Sequence, residues 1–209
     1  MSLGEYLSKP PRGYRVRSLV AEVMAKLYER GLVNVRGGNV SARLWMPWGD
    51  YQVYITPSGA AKYRLSPEDI AVVSSDGSIV EGKPSIEYRM HLEVYRTLRN
   101  AGAVVHAHPP LVLAVAEAYG PHSLLGLIEA RLVLPHGVGV VEELEPGSLE
   151  LARKVAECLK EHEACILQGH GVVAYGSGEP EQALFEALDR VEVLDLAARY
   201  SLAHRILRC

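Results

Sequence analysis

Apolar residues recur every three or four positions between Gly13 and Arg30, with Val16, Leu19, Val23 and Leu27 on one face and Gly31 following as a stop. That spacing predicts an amphipathic helix. The period then changes to two. Val40 to Trp45 and Tyr51 to Thr56 alternate and are β-rich, and Pro47-Trp48-Gly49-Asp50 between them predicts an antiparallel pair. Ile70 to Val73 and Ser78 to Val80 flank Asp76-Gly77, which predicts a second hairpin. The helical period returns from Ser85 to Asn100 and stops at Gly102. Ala103 to His106 reads as a short buried strand, and Pro110 to Tyr119 as a helix with proline in its first turn. Leu149 to Lys160 is a further helix, and Ala164 to Leu167 and Val172 to Tyr175 are strands around Gln168-Gly169-His170-Gly171. Pro180 to Leu207 is a long final helix with Leu184, Leu188, Val191, Leu194 and Ala198 on one stripe.

No linker, repeat or low-complexity tract divides this series, so residues 1–209 are expected to form one domain. Short strands, often hairpin-connected, with helices between groups, predict a layered α/β domain whose sheet is mostly antiparallel. Neither glycine-rich turn fits a dinucleotide fingerprint. Gly37-Gly38-Asn39 lacks the G-x-G-x-x-G spacing and precedes a strand instead of opening a helix.

Composition removes several functions. With 22 Lys+Arg against 25 Asp+Glu the net charge is −3, so no general nucleic-acid footprint exists. The local exception, Arg12, Arg15 and Arg17, reads as a solvated helix entry. No apolar stretch approaches the roughly 20 residues of a membrane span, and the N-terminus lacks the apolar core of a signal peptide. Cys158, Cys165 and Cys209 are odd in number and form no C-x-x-C pair, which predicts free thiols and a cytoplasmic location.

Chemistry concentrates in a few places. His106-Ala107-His108 closes an apolar strand, and side chains two apart on a strand share a face. Two imidazoles side by side are half of a metal site. His170, in a glycine-flanked turn after another apolar strand, is the third candidate. Three neutral imidazoles with an open position suit a catalytic Zn²⁺, although the pair alone is as readily structural. Lys83-Pro84-Ser85-Ile86-Glu87 places a carboxylate at a helix start, where free N–H groups favour anions. A plain first-turn charge is the simpler alternative. The turns Gly38-Asn39 and Ser58-Gly59 are candidate anion nests, though most such turns are only turns. His91 lies four residues after Glu87, placed either to tune it or simply as a helix-surface or core histidine.

In order, Gly38-Asn39-Val40-Ser41, Thr56-Pro57-Ser58-Gly59, Pro84-Ser85-Ile86-Glu87, His106-Ala107-His108 and Gln168-Gly169-His170-Gly171 resemble the motifs of the class II aldolase/epimerase superfamily, of the L-fuculose-1-phosphate aldolase type. The resemblance implies a three-layer α/β/α sandwich and a homotetramer with sites at subunit interfaces. It implies Zn²⁺ on His106, His108 and His170, Glu87 as acid/base, and a substrate phosphate cradled by Gly38, Asn39, Ser58, Gly59, Ser85 and Ile86. The implied reaction is reversible aldol cleavage of a phosphorylated ketose to dihydroxyacetone phosphate and an aldehyde. Pentulose-phosphate 4-epimerases and methylthioribulose-1-phosphate dehydratases share the pattern; a non-catalytic interaction module is the alternative from another class and would lack the metal ligands, which are present here. The chain departs from the aldolase pattern in more than one respect: Ile86 stands where many members carry a second serine, which removes one hydroxyl donor. The tyrosine expected about twenty residues after His108 is missing, and Glu129 is the acidic residue in that stretch.

Overall fold

A computed structural model describes residues 12–208. Its centre is one sheet of eight strands: β1 (Asn39–Trp45), β2 (Tyr51–Ile55), β3 (Ala71–Ser74), β4 (Ile79–Glu81), β5 (Ala101–Ala107), β6 (Val138–Val141), β7 (Ala164–Leu167) and β8 (Gly171–Ser177). Their order across the sheet is β4-β3-β2-β1-β5-β8-β7-β6. The helices are α1 (Arg12–Glu29), α2 (Tyr88–Thr97), α3 (Pro110–Tyr119), α4 (Ile128–Val133), α5 (Leu149–Glu161) and α6 (Pro180–Ile206).

The alternation of β5 shows why both faces are covered. Ala103, Val105 and Ala107 enter one core with α1, α3 and α6, while Ala101 and Val104 enter a second core with α2 and α5. A strand buried on both sides has no polar face to show, and β5 is buried along its whole length. His106 is the one polar residue in it, and its position in the alternation turns it toward α2.

One expectation is refined and two need correction. The sheet is mixed: the β1–β2, β1–β5, β2–β3, β3–β4, β5–β8 and β7–β8 pairs are antiparallel, but β6 pairs parallel to β7. The hydrophobic pattern does not announce β6, and helix α5 returns the chain from β6 to β7 as a crossover, which forces the parallel sense. The helix expected from Ser85 begins only at Tyr88. The preceding backbone is committed elsewhere, since Pro84 bridges Pro57 and the Ser85 N–H donates to Thr56 O at 3.1 Å. Finally, Cys158 and Cys165 are not free thiols but a disulfide with Cα atoms 6.4 Å apart. They lie seven positions apart, enough for the end of α5 to turn back as β7 and lay one cysteine over the other. These two cysteines therefore give no support to a reducing compartment, and Cys209 lies outside the described residues.

The basic entry of α1 is ion-paired and not a patch: Arg12 meets Glu179, Arg15 meets Glu181 and Arg17 meets Glu81. No described helix is long and apolar enough to cross a membrane.

Candidate metal and acid/base site

β5 and the β7–β8 turn bring the three histidines together. Their ligand nitrogens all lie within 4.8 Å of one another. His106 Nε2 is 2.9 Å from His108 Nε2 and 3.3 Å from His170 Nε2. The packing depends on Gly171. A Cβ there would lie 2.4 Å from Ala107 O, 2.8 Å from His108 Cδ2 and 2.9 Å from His106 Cε1, so any larger residue would expel the rings. Gly38 is constrained in the same way, with φ +69° and a virtual Cβ 2.7 Å from His106 O.

The donor set fits a cation. His106 Nδ1 faces Val172 O at 2.9 Å, which assigns its proton to Nδ1 and leaves the Nε2 lone pair aimed into the cluster. Burial, then the neighbouring His170, pushes His106 down to about 3; burial, then His106 and His170, does the same to His108. Both are neutral near pH 7, as metal ligation requires. Nitrogens about 2.05 Å from a tetrahedral ion sit roughly 3.3 Å apart, close to the two short separations observed. Glu87 completes the group. Its Oε2 is 3.3 Å from His106 Nε2, and its Oε1, 3.7 Å from His170 Nε2, is buried without a hydrogen-bond partner among the described residues. A buried carboxylate oxygen left unpaired beside three imidazoles is what a bound cation would satisfy.

The three candidate phosphate turns are laced together at their backbones. Val40 N donates to Thr56 Oγ1, Ser85 N to Thr56 O and Ser58 N to Lys83 O. Ser58 and Ser85 have thus spent their N–H groups, and the Ser85 hydroxyl oxygen accepts from Glu87 N at 3.3 Å while its O–H stays available to donate, whereas the N–H groups of Gly59 and Ile86 have no partner among the described residues. Ile86 is exposed, while Ser85 and Glu87 on either side are buried. The Asn39 carboxamide is already engaged: Nδ2 donates to Glu87 Oε2 at 2.8 Å and Oδ1 faces His91 Nε2.

Lys62 is a member that sequence reasoning missed. It is 2% exposed, and its ammonium donates to Pro57 O at 2.8 Å while its backbone N–H donates to Val35 O at 2.9 Å. One residue thereby ties the turn at 56–59 to the loop entering Gly38. Burial pulls its pKa down to about 8, against the nearby Glu87 carboxylate, which raises it. A lysine just after a turn reads as exposed, and no periodicity signals otherwise.

Glu129 does not join this group. It lines a separate cleft with Arg30, Asp189, Glu192 and Arg199. Tyr119, the tyrosine nearest in sequence to the missing one, packs under Arg205, 3.8 Å from guanidinium carbon to ring centre, and is likewise elsewhere.

Residues 18–202 match the family model of the class II aldolase and adducin N-terminal domain. The chain belongs to that family. It is 38% identical over 179 residues to an L-fuculose phosphate aldolase of Methanococcus vannielii, covering 83% of this chain and 88% of the relative. The crystal structure of l-fuculose-1-phosphate aldolase from Thermus thermophilus superposes with a TM-score of 0.80 at 36% identity, covering 93% of this chain and 96% of that one. Members named for other reactions are also similar. A methylthioribulose-1-phosphate dehydratase of Methylococcus capsulatus is 34% identical over 79% of this chain and 82% of its own. A 3-oxo-tetronate 4-phosphate decarboxylase of Haemophilus influenzae is 30% identical over 88% of this chain and 85% of its own. Family membership thus establishes an α/β fold of a class of sugar-phosphate enzymes, and the reaction has to be argued from the site.

Proposed function

We propose that this chain is a zinc-dependent aldolase, cleaving a sugar phosphate reversibly to dihydroxyacetone phosphate and an aldehyde. The observation that carries the reading is the convergence of three imidazole nitrogens and one buried carboxylate on a single point. His106, His108 and His170 would hold the ion. Bound there, a divalent cation supplies Lewis-acid polarisation of a substrate carbonyl.

The protein's own groups do the rest. Glu87 takes or returns the proton on the carbon beside that carbonyl, from a position fixed by Asn39. The hydroxyls of Ser58 and Ser85, with the N–H groups of Gly59 and Ile86 and the Gly38-Asn39 turn, are the donors we assign to the phosphate. Binding at that end orients the reacting carbons without taking part in the chemistry. Lys62, beneath the turn, keeps it in place.

We place the domain, 1–209, in the cytoplasm as a homotetramer with sites at subunit interfaces. Exposed Ile86, Ile128 and Leu132 (64%, 69% and 75%) provide apolar surface that such contacts would cover. A disulfide such as Cys158–Cys165 is uncommon in that compartment outside hyperthermophiles.

Incubating the metal-loaded protein with dihydroxyacetone phosphate and a panel of short aldehydes tests the assignment. Condensation product is expected. Interconversion of pentulose phosphates, or loss of water or carbon dioxide from a ketose phosphate or oxo acid phosphate, without condensation would move the chain to the epimerase, dehydratase or decarboxylase branch.

A further inference from the structure

Behind Glu87 the helix and the strand interlock with matched repeats. Glu87, His91 and Tyr95 are spaced four apart on α2 and its N-cap, and Asn39, Ser41 and Arg43 are spaced two apart on β1. Four helical residues rise about 6 Å and two strand residues about 6.6 Å, so the two series stay in step. Each strand residue therefore bridges successive helix residues. Asn39 joins Glu87 to His91. Ser41 Oγ joins His91 Nδ1 to the Tyr95 hydroxyl, both at 2.7 Å. Arg43 donates to Tyr95 O at 3.1 Å and to Arg99 O at 2.6 Å. His91 and Ser41 are 0% exposed and Tyr95 is 1% exposed, so water does not compete.

The ladder has one consistent polarity. A carboxylate only accepts, so the Asn39 amide must turn its NH₂ to Glu87 and its carbonyl to His91. His91 must then carry its proton on Nε2, leaving Nδ1 to accept from Ser41. The Ser41 oxygen in turn accepts from the Tyr95 hydroxyl. Burial keeps His91 neutral, at about 3, and raises Tyr95 well above the ordinary phenol range, so both groups hold the forms this order needs.

We propose that His91, Ser41 and Tyr95 are positioning residues whose hydrogen-bond polarity locks the Asn39 amide as a donor to Glu87, and so fixes the carboxylate for proton transfer. Were His91 to switch tautomer, its Nε2 lone pair would meet the Asn39 carbonyl. The amide would then rotate and present oxygen to oxygen at Glu87. The inference rests on the proposed role of Glu87 only for its kinetic consequence. The polarity stands independently.

Two measurements test it on the metal-loaded protein. ¹⁵N-labelled histidine spectra at neutral pH should show His91 protonated at Nε2 and bare at Nδ1. The opposite tautomer overturns the ladder whether or not Glu87 is catalytic. For kinetics, His91→Leu should lower kcat about 100-fold with KM and bound metal unchanged, while His91→Gln, able to donate to Asn39 and accept from Ser41, should recover to within about tenfold of wild type. A glutamine variant no better than leucine, or a leucine variant with unchanged kcat, overturns the proposal. If His91→Leu does not fold, Ser41→Ala replaces it: the donor to Nδ1 is gone, so kcat should again fall at constant KM. An unchanged kcat there overturns the proposal too.

Discussion

Asn39 donates to Glu87 across the gap between β1 and the start of α2, 2.8 Å from Nδ2 to Oε2, with both residues buried. Asn39 also pairs with His106 in register across β1 and β5, so the residue that holds the carboxylate sits beside the strand that carries two of the histidines. Its engagement with Glu87 gives the residue a role beyond the phosphate contact we propose for it. Asn39→Asp tests this. A second carboxylate beside the first disfavours ionisation of the pair, so the acidic limb of the pH profile for kcat/KM should move to higher pH. An unmoved limb would show that the contact does not reach the reacting group.

The three histidines should bind about one divalent ion per chain, and metal analysis of purified protein reads this directly. Because His106 and His108 are held neutral in the metal-free fold, saturating zinc should stabilise it. At one hundred times Kd the gain is about 2.7 kcal/mol, visible as a rise in Tm. His106→Ala should abolish both the stoichiometry and the shift.

The metal-free protein should also be acid-sensitive. His91, His106 and His108 are each held at about 3 in the fold, against about 6.5 for an unfolded histidine. Between those values the unfolded chain binds protons that the folded chain refuses. Their contribution is therefore intact above about pH 6.5 and is lost as pH falls toward 3. Thermal melts across this range should show Tm falling steadily, and His91→Gln should fall less steeply. A flat profile from pH 6.5 to 4 would contradict the burial of these rings.

Lys62 behaves in the same sense at the other end of the scale. Held at about 8 in the fold and near 10.5 when unfolded, it is buried at a cost that disappears as pH rises. Wild type should gain stability between about pH 8 and 10.5 relative to Lys62→Met. The same variant leaves Pro57 O without its donor and loosens the 56–59 turn, so KM for the phosphorylated substrate should rise severalfold while kcat holds. A parallel fall in kcat alone would place Lys62 at the reacting end instead.

Legibility in the sequence followed the range of the signal. The H-x-H pair and the glycine-flanked His170 were readable because strand alternation and turn chemistry are local rules, and the structure brings these residues within 4.8 Å. Most helices and strands were readable for the same reason. β6 was not, since Val138–Val141 is a short apolar run that acquires meaning only beside β7. The pairing of Cys158 with Cys165 depends on how α5 folds back, which no C-x-x-C rule captures. His91 was seen as a helix neighbour of Glu87, but its link to Glu87 passes through Asn39 on a strand 52 residues away. Even so, the two series were present in the chain, N-x-S-x-R and E-x-x-x-H-x-x-x-Y, each at the period of its own element. Only their meeting had to be seen. Lys62 carried no local sign at all, because its burial is decided by the two turns it joins.

The central claim is that a cation on three histidines and the Glu87 carboxylate together move a proton beside a phosphorylated ketone. Exchange of deuterium from D₂O into dihydroxyacetone phosphate, followed by NMR with zinc-loaded protein, tests it most directly. Exchange is expected in the wild type and none in Glu87→Gln with zinc still bound. Exchange that survives in Glu87→Gln, or a fully zinc-loaded wild type that exchanges nothing, would contradict it.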